Sequence, residues 1–97
     1  MALTDENLVL EQRHLGGVQR IYRFPDGHGL SLINGPMAHG FPFAWEAAVL
    51  WQVKKDGSSG RIQYTTPLTS DIEVFQTDAE ANEFIDRARK MFTRKPK

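Results

Sequence analysis

The chain has 97 residues, a length that suits one compact domain and is too short for two ordinary ones. Hydrophobic residues make up 40% and charged residues 25%, which excludes a disordered chain, and equal numbers of acids and bases leave no net charge. Because cysteine is absent, disulfides, thiolate catalysis and cysteine-based zinc sites are excluded.

The N-terminal segment NLVLEQRHL, residues 7–15, suits either a strand or a short helix. It follows early acids rather than a basic segment, and no apolar run in the chain approaches the roughly 18 residues that cross a bilayer. We therefore expect a cytoplasmic protein that is neither secreted nor bound to a membrane.

Two hairpins are predicted next. The first spans residues 18–33 and turns at PDG, where Pro25 sets its backbone angle and Gly27 accepts a positive φ. The second joins AWEAAVLWQV to RIQYTT through KKDGSSG, which lacks the GK(S/T) ending and following helix of a phosphate-binding loop.

The central strand AWEAAVLWQV is apolar on both faces. Trp45, Val49 and Trp51 alternate with Ala48 and Leu50, and the small residues favour helix packing on the side of Ala48 and Leu50. We expect the helix on one face, and the 34–43 loop together with another protein chain on the other.

The loop NGPMAHGFPF, residues 34–43, carries large side chains in a stretch that two prolines and two glycines keep out of regular structure. These side chains are Met37, His39, Phe41 and Phe43. Two interpretations remain open, because the residues can cover an open edge of the sheet as a plug or anchor a partner.

The C-terminal part predicts a short strand, DIEVF, and then a helix. Thr77 and Glu80 have the spacing of a capping box, so that the helix begins near Asp78 and runs for about 15 residues. Its apolar stripe consists of Ala81, Phe84, Ile85, Ala88 and Met91. We predict a single α+β domain, residues 1–97, in which an antiparallel sheet of four to five strands is covered on one face by one C-terminal amphipathic helix.

Charge is unevenly distributed near the C-terminus, where six acids in residues 69–86 precede six bases in residues 87–97. The order suits the helix macrodipole. The alternative is a nucleic-acid surface formed with the strand aromatics, and its bases would be Arg87, Arg89, Lys90, Arg94 and Lys95.

No constellation of residues identifies a reaction. His14, His28 and His39 lack the close spacing of metal ligands, so that a site of three histidines, or of histidine and Glu46, would have to be assembled across strands. The serines lack the surroundings of an activated nucleophile. We predict no catalytic residues, no metal and no cofactor.

Three segments, YRFPDGHGLSLI, AWEAAVL and YTTPLTSDI, stand in this order ahead of the helix. They resemble a pattern in small uncharacterised proteins encoded by tailed bacteriophages, in which a (D/N)G-x-G turn precedes W-E-x-A-V and Y-x-TP-(I/L)T-x-D. The resemblance covers residues 22–72 and departs from the pattern at PMAHGFPFA. It implies a stoichiometric binder of the kind that includes anti-CRISPR inhibitors of host defence.

Two functions follow as expectations. The first is a non-enzymatic protein-binding module that inhibits a host enzyme or defence complex and forms a homodimer. Its partner would be a host or phage protein, contacted through the loop residues Met37, His39, Phe41 and Phe43 together with Trp45 and Trp51. The second is nucleic-acid binding through the basic C-terminal segment.

Overall fold

The computed structural model of the protein describes residues 3–14, 16–35, 45–58, 61–62 and 73–93. Within these residues an antiparallel sheet precedes one helix, α1 (Asp78–Met91). The strands are β1 (Leu8–His14), β2 (Gly17–Arg23), β3 (Gly29–Asn34), β4 (Trp45–Trp51), β5 (Arg61–Ile62) and β6 (Glu73–Phe75). The predicted α+β fold is therefore confirmed.

The sheet is a meander in which each of the first four strands pairs with the next. β5 and β6 share the outer edge of β4, because β5 pairs with Leu50 and Trp51 whereas β6 pairs with residues 45–47. The sheet is thus five strands wide, within the predicted four to five. The first predicted hairpin forms, and the N-terminal segment is a strand rather than a helix. Of the second hairpin, residues 61–62 pair with the end of β4, and residues 63–66 lie outside the described residues.

The helix begins where the capping box predicts. Thr77 is extended, and its hydroxyl accepts the backbone N–H of Glu80 at 3.1 Å and donates to Glu80 Oε1 at 3.2 Å. Asp78 and Glu80 occupy the first turn, and Arg89 and Lys90 the last. The order of charges along the helix therefore suits its macrodipole. In the described part of the chain, no helix is long and apolar enough to cross a membrane.

The helix packs on the face of β4 that carries Trp45, Ala47 and Val49. The expectation that the small residues place it over Ala48 and Leu50 is wrong. The main core is Leu3, Tyr22, Phe24, Leu30, Leu32, Ala47, Val49, Ala81, Phe84, Ile85, Ala88 and Phe92.

Neighbouring strands decide which face the helix covers. Leu30 and Leu32 of β3 are fully buried on the helix side, whereas Gly29 and Ser31 alternate with them on the other side. The helix buries more apolar surface on the side of the two leucines, and apolar burial dominates the choice.

The predicted stripe of α1 is wrong at its last member. Ala81, Phe84, Ile85 and Ala88 are buried, but Met91 is 41% exposed. Phe92, which caps the helix through an N–H bond to Ala88 O, takes the core position and is 4% exposed. Met91 and Phe92, three and four residues after Ala88, both lie near the stripe. The ring of Phe92, which is larger than the Met91 side chain, fills the site beside Phe24.

A second, smaller cluster lies on the opposite face and consists of Ile21, Leu50 and Val53, with Val9 and Leu10 beside it. Gln52 has a φ of 59°, which ends β4 and turns the chain back over this face. Gly57, with a φ of 86°, lies so close to Leu10 that an added Cβ would stand 2.6 Å from that side chain. The turn after β4 therefore covers part of the face that the helix leaves open.

Candidate protein-binding surface at Trp51

The structure separates the two tryptophans of β4. Trp45 lies at the start of α1, packs beside the main core and donates its indole N–H to Asp78 Oδ1 at 2.7 Å. Trp51 lies at the other end of the strand and is 36% exposed. Residues 36–44, which include Met37, His39, Phe41 and Phe43, lie outside the described residues.

Trp51 rests on an aromatic stack. Its ring centroid lies 4.3 Å from that of His28, and the imidazole in turn stacks on Phe92 at 4.1 Å with 12° between the ring planes. Phe92 contacts the buried ring of Phe24 at 6.0 Å. The stack thus runs from the buried ring of Phe92 to the exposed indole of Trp51. We call the indole and the two rings that support it, Trp51, His28 and Phe92, the Trp51 surface.

Asp26 fixes the middle ring of the stack. Its Oδ1 accepts the backbone N–H of His28 at 2.8 Å, and its Oδ2 lies 2.9 Å from Nδ1 of the same residue. The backbone N–H of Asp26 donates to the carbonyl of Phe92 at 3.4 Å, which ties the β2–β3 turn to the end of the helix. The support under Trp51 is thus held by the backbone as well as by ring contacts, so that its geometry is set before any partner binds.

Basic residues lie near the Trp51 surface in sequence or in register. Lys54 and Lys55 follow Trp51 in the exposed turn, and Arg61 is its cross-strand neighbour in β5. Lys90, in the last turn of α1 that leads to Phe92, has a side chain that is 78% exposed. Basic residues that follow Trp51 closely in the chain favour an acidic ligand over a basic one.

The basic residues of α1 differ in the hydrogen bonds and ion pairs that they form within the protein. Arg89 donates to Asn7 Oδ1 at 2.7 Å and to Asp86 Oδ1 at 3.0 Å, and it lies 3.5 Å from a carboxylate oxygen of Glu6. Lys90 pairs with Asp86 at 3.3 Å. Arg87 is exposed, whereas Arg94 and Lys95 lie outside the described residues. Arg89 therefore helps to hold the N-terminal segment on the helix, and its charge is already balanced by carboxylates.

The sequence interpretation missed His28 and Phe92 as parts of the surface. His28 directly follows the PDG turn, and its backbone N–H donates to Asp26 Oδ1. No spacing rule joins residues 28, 51 and 92, because they meet only once the helix lies on the Trp45 face. A weak signal was available, because Phe92 is one of two large apolar candidates in the last turn of the helix.

The described residues offer few catalytic arrangements. Within them, no three His, Asp or Glu side chains form a group that suits a metal ion. Both serines of this part of the chain are engaged, because Ser58 bonds to Asp56 and Ser31 accepts from Gln19. The turn at 54–58 is closed by a bond from Lys54 N to Ser58 O at 3.0 Å, as a hairpin turn requires.

Comparison with protein-family profiles, curated proteins and solved structures finds no match to this chain.

Proposed function

We propose that this protein is a non-enzymatic, cytoplasmic protein-binding module that holds an acidic segment of a host or phage protein at the Trp51 surface. In this proposal it inhibits a host enzyme or defence complex by occupying one site on it, as the resemblance to phage accessory proteins implies. The proposal depends on one observation. Trp51 is partly exposed and packs on His28, which in turn stacks on the buried ring of Phe92.

An exposed tryptophan on a rigid support has the properties of a binding hot spot. Such residues contribute large apolar area, and tryptophan is enriched among the few side chains that dominate interface energies. The stack beneath Trp51 limits its rotamers, which reduces the ordering cost on binding. The surface therefore suits a partner that places an apolar side chain against the indole.

The charge that we expect of the partner follows from the basic residues that lie close to Trp51 in the chain. Lys54, Lys55 and Lys90 are exposed, so that carboxylates of a bound segment that reaches them would be attracted without the cost of burial. We expect the bound segment to carry an aromatic or aliphatic residue flanked by Asp or Glu.

The test is a quantitative affinity purification from host cells with three variants of the protein. Trp51→Ala should lose one specific partner while the protein stays folded, although the loss of the ring contact with His28 should lower its melting temperature. Val74→Ala removes a similarly exposed apolar side chain from β6 and should keep the partner. Lys54→Glu combined with Lys55→Glu should weaken binding at least about tenfold by reversing the local charge.

Binding of the purified partner should then saturate at one partner per chain and lower the partner's activity in proportion. Retention of the partner by Trp51→Ala would refute the proposed site. Binding of DNA or RNA whose affinity falls steeply with salt would instead support the nucleic-acid alternative, since phosphate contacts release counterions.

A further inference from the structure

β1 lies at an edge of the described sheet, and its outer side can accept another strand. Within the part of the chain that the structure describes, β1 pairs only with β2, so that one side of β1 carries no strand. Backbone groups on such an edge are a template for another strand. Which residues point outward decides how a second strand can pair.

Two hydrogen bonds establish the direction of the backbone groups. The N–H of Arg23 donates to the carbonyl of Asn7, on the β1 side, and the N–H of Phe24 donates to the carbonyl of His28, on the β3 side. The direction of the backbone N–H and C=O groups alternates along a strand, so the backbone groups of Ile21 and Gln19 also point toward β1. Their partners Leu10 and Gln12 point toward β2 in return. The residues between and beyond, Glu11 and Arg13, therefore direct their N–H and C=O groups outward.

Charge selects one symmetric pairing of this edge. A second copy related by a two-fold axis must match outward residues with outward residues, so that the axis passes at residue 11, 12 or 13. An axis at Glu11 opposes two glutamates, and one at Arg13 opposes two arginines. An axis at Gln12 opposes Glu11 of each copy to Arg13 of the other, and opposite charges in facing positions stabilise a sheet.

The side chains are already arranged for this pairing. Glu11 accepts a bond from Arg20 Nη1 at its Oε2, at 2.7 Å, and its side chain is still 51% exposed. A second arginine can therefore bind the remaining lone pairs of the same carboxylate. Gln12 is held by its bond to Gln19 at 2.7 Å on the other face of the sheet.

We propose that a second copy of this chain pairs antiparallel with β1 about a two-fold axis at Gln12, joining two sheets into one. Pairs of Glu11 with Arg13 supply the outward backbone bonds on both sides of the axis. The extra residue Val9 and the bond from Leu8 N to Asp5 O bend the chain at the start of β1, which limits the pairing to its second half. Charged residues on an edge strand usually discourage pairing with another strand. Because Glu11 and Arg13 have opposite signs, they discourage the registers with an axis at Glu11 or Arg13 but favour the one with an axis at Gln12.

Sedimentation equilibrium tests the pairing with charge reversals. Arg13→Glu and Glu11→Arg should each weaken self-association at least about tenfold, because facing positions then carry like charges. An equal mixture of the two variants should restore a dimer, since each glutamate faces an arginine again. Arg87→Glu changes the net charge as Arg13→Glu does, but at an exposed position of α1, and should leave self-association unchanged.

A disulfide test needs no charge change, because the chain has no cysteine of its own. Facing residues at the axis form a non-hydrogen-bonded pair with Cα atoms about 4.5 Å apart, within reach of a disulfide. Gln12→Cys should therefore form a covalent dimer under mild oxidation, whereas Arg87→Cys, at an exposed position of α1, should not. The proposal would be overturned if the protein stayed monomeric up to about 0.5 mM. It would also be overturned if the mixture of the two charge-reversed variants formed no dimer, or if both cysteine variants cross-linked equally.

Discussion

Arg20 fastens the N-terminal segment to the sheet. Its guanidinium contacts Asp5 and donates to the carbonyl of Thr4 at 3.2 Å, and its Nε donates to the hydroxyl of Tyr22 at 3.0 Å. Burial lowers the pKa of Arg20, but the hydrogen bonds to Asp5 and Tyr22 outweigh this effect and raise it above its ordinary value. The mostly buried arginine therefore stays charged and paired, which keeps the cost of its burial small.

The residue Tyr22 makes stability depend on pH in the alkaline range. Burial raises the pKa of Tyr22 above its ordinary value of 10.0, more than the neighbouring Arg20 lowers it. The unfolded chain loses this proton as pH rises past 10.0, whereas the folded protein keeps it, so that the free energy of unfolding falls above that pH. Urea unfolding at a series of pH values should show this fall.

Tyr22→Phe should reduce the alkaline fall, and it should also lower stability at neutral pH because the bond to the Thr4 carbonyl at 2.7 Å is lost. Tyr64→Phe removes the other tyrosine of the chain and serves as the control. An equal alkaline fall in Tyr22→Phe and in the unaltered protein would show that other groups cause it.

At the scale of elements, α1 was the most predictable part of the fold. Thr77 and Glu80 lie three residues apart, and the bonds that they form are local, so that sequence spacing alone places the start of the helix. Its end was less predictable because Met91 and Phe92 both follow the stripe. The choice between them depends on Phe24 and His28, which are distant in sequence.

Substitutions in α1 should separate its buried stripe from its exposed end. Phe84 contacts Phe75 at 5.0 Å between ring centroids and is buried, so Phe84→Ala should lower the free energy of unfolding by about 3 to 5 kcal/mol. Ile85→Ala should cost about 2 to 5 kcal/mol. Met91→Ala should cost less than about 1 kcal/mol.

Urea unfolding measures these three values. A cost for Met91→Ala as large as that for Phe84→Ala would mean that the helix is rotated from the position described, with Met91 rather than Phe92 in the core.

The strands show where sequence pattern stops being informative. Alternation in β4 predicts which residues share a face, and the structure confirms that Trp45, Ala47 and Val49 do. It does not predict which face the helix covers, because both faces carry apolar residues. That choice is made by Leu30 and Leu32 of β3, and the pairing of β3 with β4 is a long-range contact.

At the scale of the molecule, the candidate site was predicted only in part. Trp51 was named from the strand pattern, but its support came from His28 and Phe92, which the fold brings together from two other elements. Trp45 was named for the same reason and lies instead at the start of α1. Residues of one strand can thus share a face and still belong to different surfaces, because one helix covers only part of that face.

The two proposed surfaces lie on different strands of the sheet. β1 is one edge, and Trp51 belongs to β4, three strand positions away or about 14 Å at the usual strand spacing. A dimer joined at β1 therefore leaves both Trp51 surfaces open and should bind two partners. Since no backbone element is shared between the edge residue Arg13 and the stack under Trp51, substitutions at the two sites should act independently.

Arg13→Glu should bind its partner with unchanged affinity as a one-to-one complex, and Trp51→Ala should still dimerise while it fails to bind the partner. Light scattering of each complex gives the stoichiometry, and a titration gives the affinity. If Arg13→Glu loses the partner as well, the partner contacts the β1 edge or requires both copies. In that case the Trp51 surface alone does not define the binding site.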